Sequence, residues 1–173
     1  STMTGQELLL DSLRRRMRAM HSLYYDAVAT MDLHHVNHFE REGVLPIAFS
    51  LFHYTNMQDV SFMAISGQPP LWSDDWQARV QMAIDDHGKE RPVSDMIHQR
   101  IGDYEAFKEY QRAVFGRTEA WLEELDPAEL DERRVEPGLG GTGCTRWQTV
   151  AGSMIAHVDP AGGPSKNAWL SVG

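Results

Sequence analysis

Residues 10–31 read Leu10-Asp11-Ser12-Leu13-Arg14-Arg15-Arg16-Met17-Arg18-Ala19-Met20-His21-Ser22-Leu23-Tyr24-Tyr25-Asp26-Ala27-Val28-Ala29-Thr30-Met31. Within them Leu10, Leu13, Met17, Met20, Tyr24, Ala27 and Met31 are separated by 3, 4, 3, 4, 3 and 4 positions. A strand repeats every second residue, so this spacing belongs to one face of a helix with a near-heptad period. Thr4 and Glu7 stand three apart just ahead of it, the spacing of a capping box, which marks the start. Arg14, Arg15, Arg16 and Arg18 fall off the stripe and predict a solvated basic face. A helix of about 27 residues is long for an ordinary globular domain and suits a bundle.

The next segments extend that reading. Residues 32–45 form a connector with Gly43 near its end, and Pro46 suits the first turn of a second helix. Ile47, Ala48, Phe49, Leu51, Phe52, Val60, Phe62 and Met63 make that helix apolar on most sides, so it is expected to be the most buried. It stops near Gly67. Residues 67–102 are broken by Pro69, Pro70, Gly88, Pro92 and Gly102. Short helices over 74–86 and 94–101 fit between the breaks, in a crossover that walls a pocket. A third long helix starts at Asp103, a good N-cap. Tyr104, Phe107, Gln111, Val114, Thr118, Trp121 and Leu125 again alternate by 3 and 4. A short helical turn follows over 127–133, and 136–143 is a flexible glycine-rich loop. A fourth helix begins near Thr145, where Thr145 and Gln148 match a capping box. Pro160 ends it, because proline inside a helix costs roughly 3 kcal/mol. No segment has strand periodicity. The expected fold is all-α: one domain over 1–173, a four-helix bundle with a crossover of short helices between the second and third.

Composition narrows the function classes. A chain of 173 residues is one ordinary domain. Cys144 is the only cysteine, so neither a disulfide framework nor a cysteine-rich zinc module can form. The net charge of −9 argues against a nucleic-acid or anionic-membrane partner. No apolar run approaches the roughly 20 residues of a membrane span. The polar N-terminus shows no signal-peptide core. A soluble, cytoplasmic protein is the default expectation.

The eight histidines carry most of the candidate chemistry. There is no phosphate-binding glycine loop, no G-x-S-x-G elbow and no H-E-x-x-H. Cys144 sits near a helix start, where the dipole favours thiolate, but a small residue suits that place anyway. His53 lies in the middle of the apolar second helix, where an imidazole is costly unless its nitrogens are bonded. Asp59 is six residues on, about 600° around at 100° each, so it points away from His53. Gln58 and Asp59 are nonetheless polar groups at the buried end of that helix. His157 closes the fourth helix on its apolar side. His34, His35 and His38 cluster in the connector as a surface group. His21, His87 and His98 show no partner in sequence.

Taken together, these residues resemble the DinB-like (DinB/YfiT) family of bacterial four-helix bundles. The likeness rests on Pro46-Ile47-Ala48-Phe49 followed by His53 and Gln58-Asp59. It rests also on Arg117-Thr-Glu-Ala-Trp-Leu-Glu-Glu-Leu-Asp126 with Pro127-Ala-Glu-Leu130, and on the fourth-helix stretch leading to His157. The resemblance implies a divalent metal, zinc or nickel, held by one histidine of the second helix and an H-x3-H pair of the fourth. Here His53 and His157 match two of those places and Ala161 stands in the third. Asp159 is an alternative oxygen ligand if the chain leaves the helix before Pro160. The expected metal ligands are therefore His53, His157 and Asp159, in an incomplete or altered site.

Two readings of function follow from the resemblance. One is a small-molecule-binding protein whose metal site is altered. The other is a divalent-metal-dependent thiol S-transferase, isomerase or hydrolase, with a low-molecular-weight thiol as co-substrate. A homodimer through a flat helical face is compatible with either.

Overall fold

The computed structural model describes residues 1–130. The expected glycine-rich loop and fourth helix, with Cys144, His157 and Asp159, lie outside the described residues. Within them the chain is all-α. Helix α1 spans Gly5–Thr30, α2 Leu33–Val36, α3 Ile47–Ser66, α4 Asp74–Val80, α5 Val93–Met96 and α6 Tyr104–Glu124, and a 3-10 turn follows over Pro127–Leu130. Three long helices, α1, α3 and α6, are therefore joined by the short ones. The extended structure among the described residues is one isolated antiparallel bridge between Met82 and Ile101.

Helix α1 starts where the capping box places it: Glu7 N donates to Thr4 Oγ1, and Thr4 N donates to Glu7 Oε2. Its buried line is Leu10, Leu13, Met17, Met20, His21 and Val28. The expected Ala27 is exposed, and Val28 takes its place. A straight helix advances 3.6 rather than 3.5 residues per turn, so a heptad stripe slides around it. His21 thereby enters the core.

The basic face is only partly solvated, which corrects the sequence expectation. Arg14 donates to the carbonyls of Leu122 at 2.7 Å, Glu123 at 2.9 Å and Leu125 at 3.2 Å. Those carbonyls lie at the C-terminal end of α6, which has no basic residue in its own last turn. Arg18 adds an ion pair to Glu123 at 2.5 Å. Arginines of α1 thus cap α6, where cations suit the negative end of the dipole.

Helix α3 is the most buried, as expected: 12 of its 20 residues are buried. Gly67 closes it at φ 76°, a left-handed cap that only glycine adopts without strain. Helix α6 packs on α1, α3 and α4 together. Its core line is Phe107, Tyr110, Gln111, Val114, Phe115, Thr118 and Leu122.

The crossover is less helical than its composition predicts. The segment expected as a helix over 74–86 ends at Val80, because Gln81 turns left-handed at φ 58°. Met82 then pairs with Ile101 instead of continuing the helix. The second expected helix, 94–101, is the single turn Val93–Met96. Gln99, fully buried, replaces the missing helical bonds. Its amide accepts from Ile84 N at 2.9 Å and donates to Ile84 O at 2.8 Å. The connector also holds one unexpected helical turn, α2, capped by Asp32. The expected turn over 127–133 is seen as the 3-10 turn up to Leu130, the last described residue.

Candidate functional site

Helix α3 presents two separate polar groups, as the angular offset between His53 and Asp59 anticipates. His53 is 6% exposed and stacks on Phe49, one turn earlier, at 5.1 Å between ring centroids. Its Nδ1 lies 2.5 Å from the backbone carbonyl of His87. A carbonyl only accepts, so Nδ1 carries the proton and the ring's lone pair is on Nε2. That is the arrangement in which a metal-ligating histidine is ordinarily held by a neighbouring oxygen.

The His87 ring stands 6.1 Å from that of His53, nearly perpendicular to it. It has a different tautomer. Its Nδ1 accepts from Lys89 N at 3.1 Å, which puts the proton on Nε2. Burial holds the His87 imidazole below its ordinary pKa, partly offset by Asp86. His87 therefore carries its proton on Nε2, and His53 carries its proton on Nδ1.

The carbonyl of His87 is presented by a tight turn. Gly88 follows at φ 79°, and Gly88 N donates to Asp86 Oδ1 at 2.8 Å. A Cβ on Gly88 would lie 2.4 Å from Met96 Cε and 3.1 Å from the ring of Phe49. Asp86 also holds Arg91 by an ion pair at 2.8 Å. That hydrogen-bonded pair pulls the Asp86 carboxyl below, and the Arg91 guanidinium above, its usual range.

Asp59 belongs to the second group and has no exposed surface. Its Oδ1 accepts from Leu71 N at 2.8 Å and Arg117 Nη2 at 2.7 Å. Its Oδ2 accepts from Trp72 N at 2.8 Å and the Tyr110 hydroxyl at 2.7 Å. Asn56 Nδ2 in turn donates to the Tyr110 hydroxyl at 3.1 Å. Burial, and then the Asp59 charge, push the Tyr110 phenol far above its usual pKa. Arg117 also donates to Pro69 O at 2.8 Å, and its guanidinium lies 4.3 Å over the Phe62 ring. A carboxylate with four donors is a satisfied structural group, and it ties the start of the crossover to α3 and α6.

A third polar group was not visible in sequence. His21 is 1% exposed and stacks on Phe115 at 3.9 Å and 6° between ring planes. Gln58 Nε2 lies 2.9 Å from His21 Nε2 and 3.0 Å from Thr118 Oγ1, and Thr118 passes its own proton to Val114 O at 3.2 Å. His21 Nε2 also lies 3.2 Å from Gln58 Oε1, so the Gln58 amide meets that nitrogen with an acceptor as well as a donor, and the acceptor favours the protonated ring. Nδ1 faces Glu119 Oε2 at 3.6 Å, an ion-pair distance but too long for a hydrogen bond. Burial lowers the His21 pKa from 6.5 to about 4, with the Gln58 contact opposing it. The available signal was position: His21 follows Met17 by four residues and stands beside Met20 of the α1 stripe.

Of the three expected metal ligands, His53 is thus seen with its lone pair on Nε2, and His157 and Asp159 fall outside the described residues. Among the described residues no three His, Cys, Asp or Glu side chains converge as a metal site. None of the described helices is long and apolar enough to cross a membrane. His34, His35 and His38 are exposed on and just after α2, as a surface cluster should be.

A solved structure described as a conserved protein from Enterococcus faecalis has the same fold, with a TM-score of 0.68 and 14% sequence identity. The match covers 90% of this chain and 92% of that one. At that identity the likeness concerns fold alone. No curated protein matches the sequence. The family model of the DinB superfamily matches residues 10–158, most of the chain, with α1, α3, α6 and His53 inside it, and on that ground this protein belongs to the DinB superfamily.

Proposed function

We propose that this chain is a DinB-like small-molecule-binding protein whose metal site is altered rather than intact. The observation that supports it is His53: buried, fixed through Nδ1 by the His87 carbonyl, with its lone pair on Nε2. That imidazole is held in one orientation inside the fold. The sequence supports the altered site, since Ala161 stands where a third histidine would complete it. The ligand on this reading is a small polar molecule bound beside the His53 and His87 rings, whose centroids stand 6.1 Å apart. Nucleic acid and membrane are not partners on this reading, given the −9 charge.

The second reading is the metal-dependent enzyme, and the same tautomer of His53 favours it. His53, with His157 and Asp159, would hold a divalent zinc or nickel ion. When bound, such an ion supplies Lewis-acid activation of a water or a low-molecular-weight thiol. The chain's own contribution at His53 is fixed: the ring is oriented by the His87 carbonyl and stacked on Phe49.

Metal analysis separates the two. Untagged protein, purified without a nickel column and dialysed, should carry well under one tightly held transition-metal equivalent, unchanged in His53→Ala. One tight equivalent per chain that disappears in His53→Ala would overturn the altered-site reading and establish the metalloenzyme reading.

A further inference from the structure

Away from His53, the turn that follows α1 gathers three imidazoles on the surface. The ring centroid of His34 lies 6.4 Å from that of His35 and 6.2 Å from that of His38. His34 lies in α2 and His38 just past its end, where His38 N still donates to His35 O at 3.3 Å. With metal–nitrogen bonds of about 2.1 Å, two imidazoles on one ion at right or tetrahedral angles have centroids roughly 4.5–5.5 Å apart. The observed 6.2 Å is about 1 Å wider, a gap that rotation of the two exposed side chains closes.

The turn is also held rigidly for so short an element. Asp32 Oδ1 accepts from His35 N at 2.9 Å, and Val36 has no exposed surface. Asn37 is locked to the crossover in both directions: its Nδ2 donates to Ile101 O at 2.8 Å, and its Oδ1 accepts from Ile101 N at 2.9 Å. The backbone that carries His34 and His38 is therefore fixed before any ion arrives, which reduces the ordering cost of chelation. His35 is held separately, with Nδ1 3.0 Å from Asp32 Oδ1. A carboxylate behind an imidazole puts the lone pair on the outer nitrogen.

We propose that His34 and His38 form a surface chelate for a divalent transition metal, zinc, nickel or copper, with water completing the coordination. Imidazole pairs select these ions over magnesium and calcium, which take oxygen ligands. The chelate is independent of His53. It rests on α2 and the turn after it rather than on the small-molecule reading, and it is exchangeable, so added metal detects it and dialysis removes it.

Titration of untagged protein with zinc or copper chloride, followed by calorimetry, tests this. The wild-type chain should show one exchangeable site. His34→Ala/His38→Ala should weaken it at least tenfold, and His53→Ala should leave it within twofold. Both altered residues are exposed, so a matching circular dichroism melt checks that the double variant is folded. Magnesium at the same concentrations should give no heat at this site. The proposal is overturned if the double variant titrates like wild type, or if His53→Ala abolishes the exchangeable site.

Discussion

Arg117 Nη2 meets Asp59 Oδ1 at 2.7 Å across the α3–α6 interface, and the Asp59 carboxylate is fully buried there. Two charges in that setting are costly to desolvate, so the pair is stable only while every lone pair is used. The backbone amides of Leu71 and Trp72 and the Tyr110 hydroxyl use the rest. Removing one partner is therefore worse than the modest net value of a salt bridge suggests. Asp59→Ala should lower unfolding free energy by about 3–5 kcal/mol in urea titration. Tyr110→Phe removes one hydroxyl and should cost about 1–2 kcal/mol. Equal losses in the two variants would show that Asp59 is not the centre of the network.

Arg14 reaches three carbonyls at the end of α6, whereas Arg16 projects from the exposed side of α1. Arg14→Ala leaves terminal carbonyls without their donor and removes a cation from the negative end of the helix dipole. It should cost about 1–2 kcal/mol. Arg16→Ala should stay within about 0.5 kcal/mol of wild type. Parallel denaturation curves distinguish them, and a silent Arg14→Ala would mean that water serves those carbonyls equally well.

These two sites also show where sequence was informative. The three long helices were legible because periodicity and capping are local: Thr4 with Glu7, Asp103, and Gly67 each act within a few residues. The family placement was legible for a related reason, since His53 and Asp59 sit at fixed offsets on one helix. What was hidden depends on contacts distant in the chain. Arg14 and Arg15 are neighbours in a basic run, yet Arg14 docks on residues more than a hundred positions away and Arg15 pairs with Asp11. The crossover was hidden because Gln81, a non-glycine residue, takes a left-handed conformation that its sequence does not announce. Gln99 was hidden because a glutamine in a pattern looks like surface, while here it is buried and bonded.

His21 should give stability a pH dependence of its own. In the folded chain it stays neutral down to about pH 4, because its site desolvates the charged form, while in the unfolded chain it takes a proton near 6.5. Below 6.5 the unfolded state therefore binds more protons, and stability falls as pH drops. The contribution is fully present above pH 6.5 and is lost progressively between about 6.5 and 4. A displacement from 6.5 to about 4 corresponds to about 3 kcal/mol, less whatever Glu119 at 3.6 Å returns to the charged ring. His21→Leu removes the titrating group, so its unfolding free energy should vary less than wild type's over that window, even though it leaves Gln58 short of a partner. Identical slopes would place the acid sensitivity elsewhere.

Gly88 links packing to the His53 site. Its φ of 79° costs a non-glycine residue about 1–2 kcal/mol, and an added Cβ would meet Met96 Cε at 2.4 Å. Met96 is the flexible end of a side chain and can give way, but Phe49 at 3.1 Å supports the His53 ring and cannot move without it. Gly88→Ala should therefore cost about 2–4 kcal/mol, combining backbone strain with overpacking. Gly67→Ala is the control: the same left-handed cap at φ 76°, with nothing within 4 Å of the new Cβ, so only the backbone term of about 1–2 kcal/mol applies. The difference should also appear at His53. The Gly88 variant displaces the carbonyl that holds Nδ1, so the His53 imidazole should show exchange-broadened NMR signals, whereas in the Gly67 variant they should match wild type. If the two alanine variants lose the same stability and both leave the His53 signals unchanged, the 87–88 turn does not position that ring.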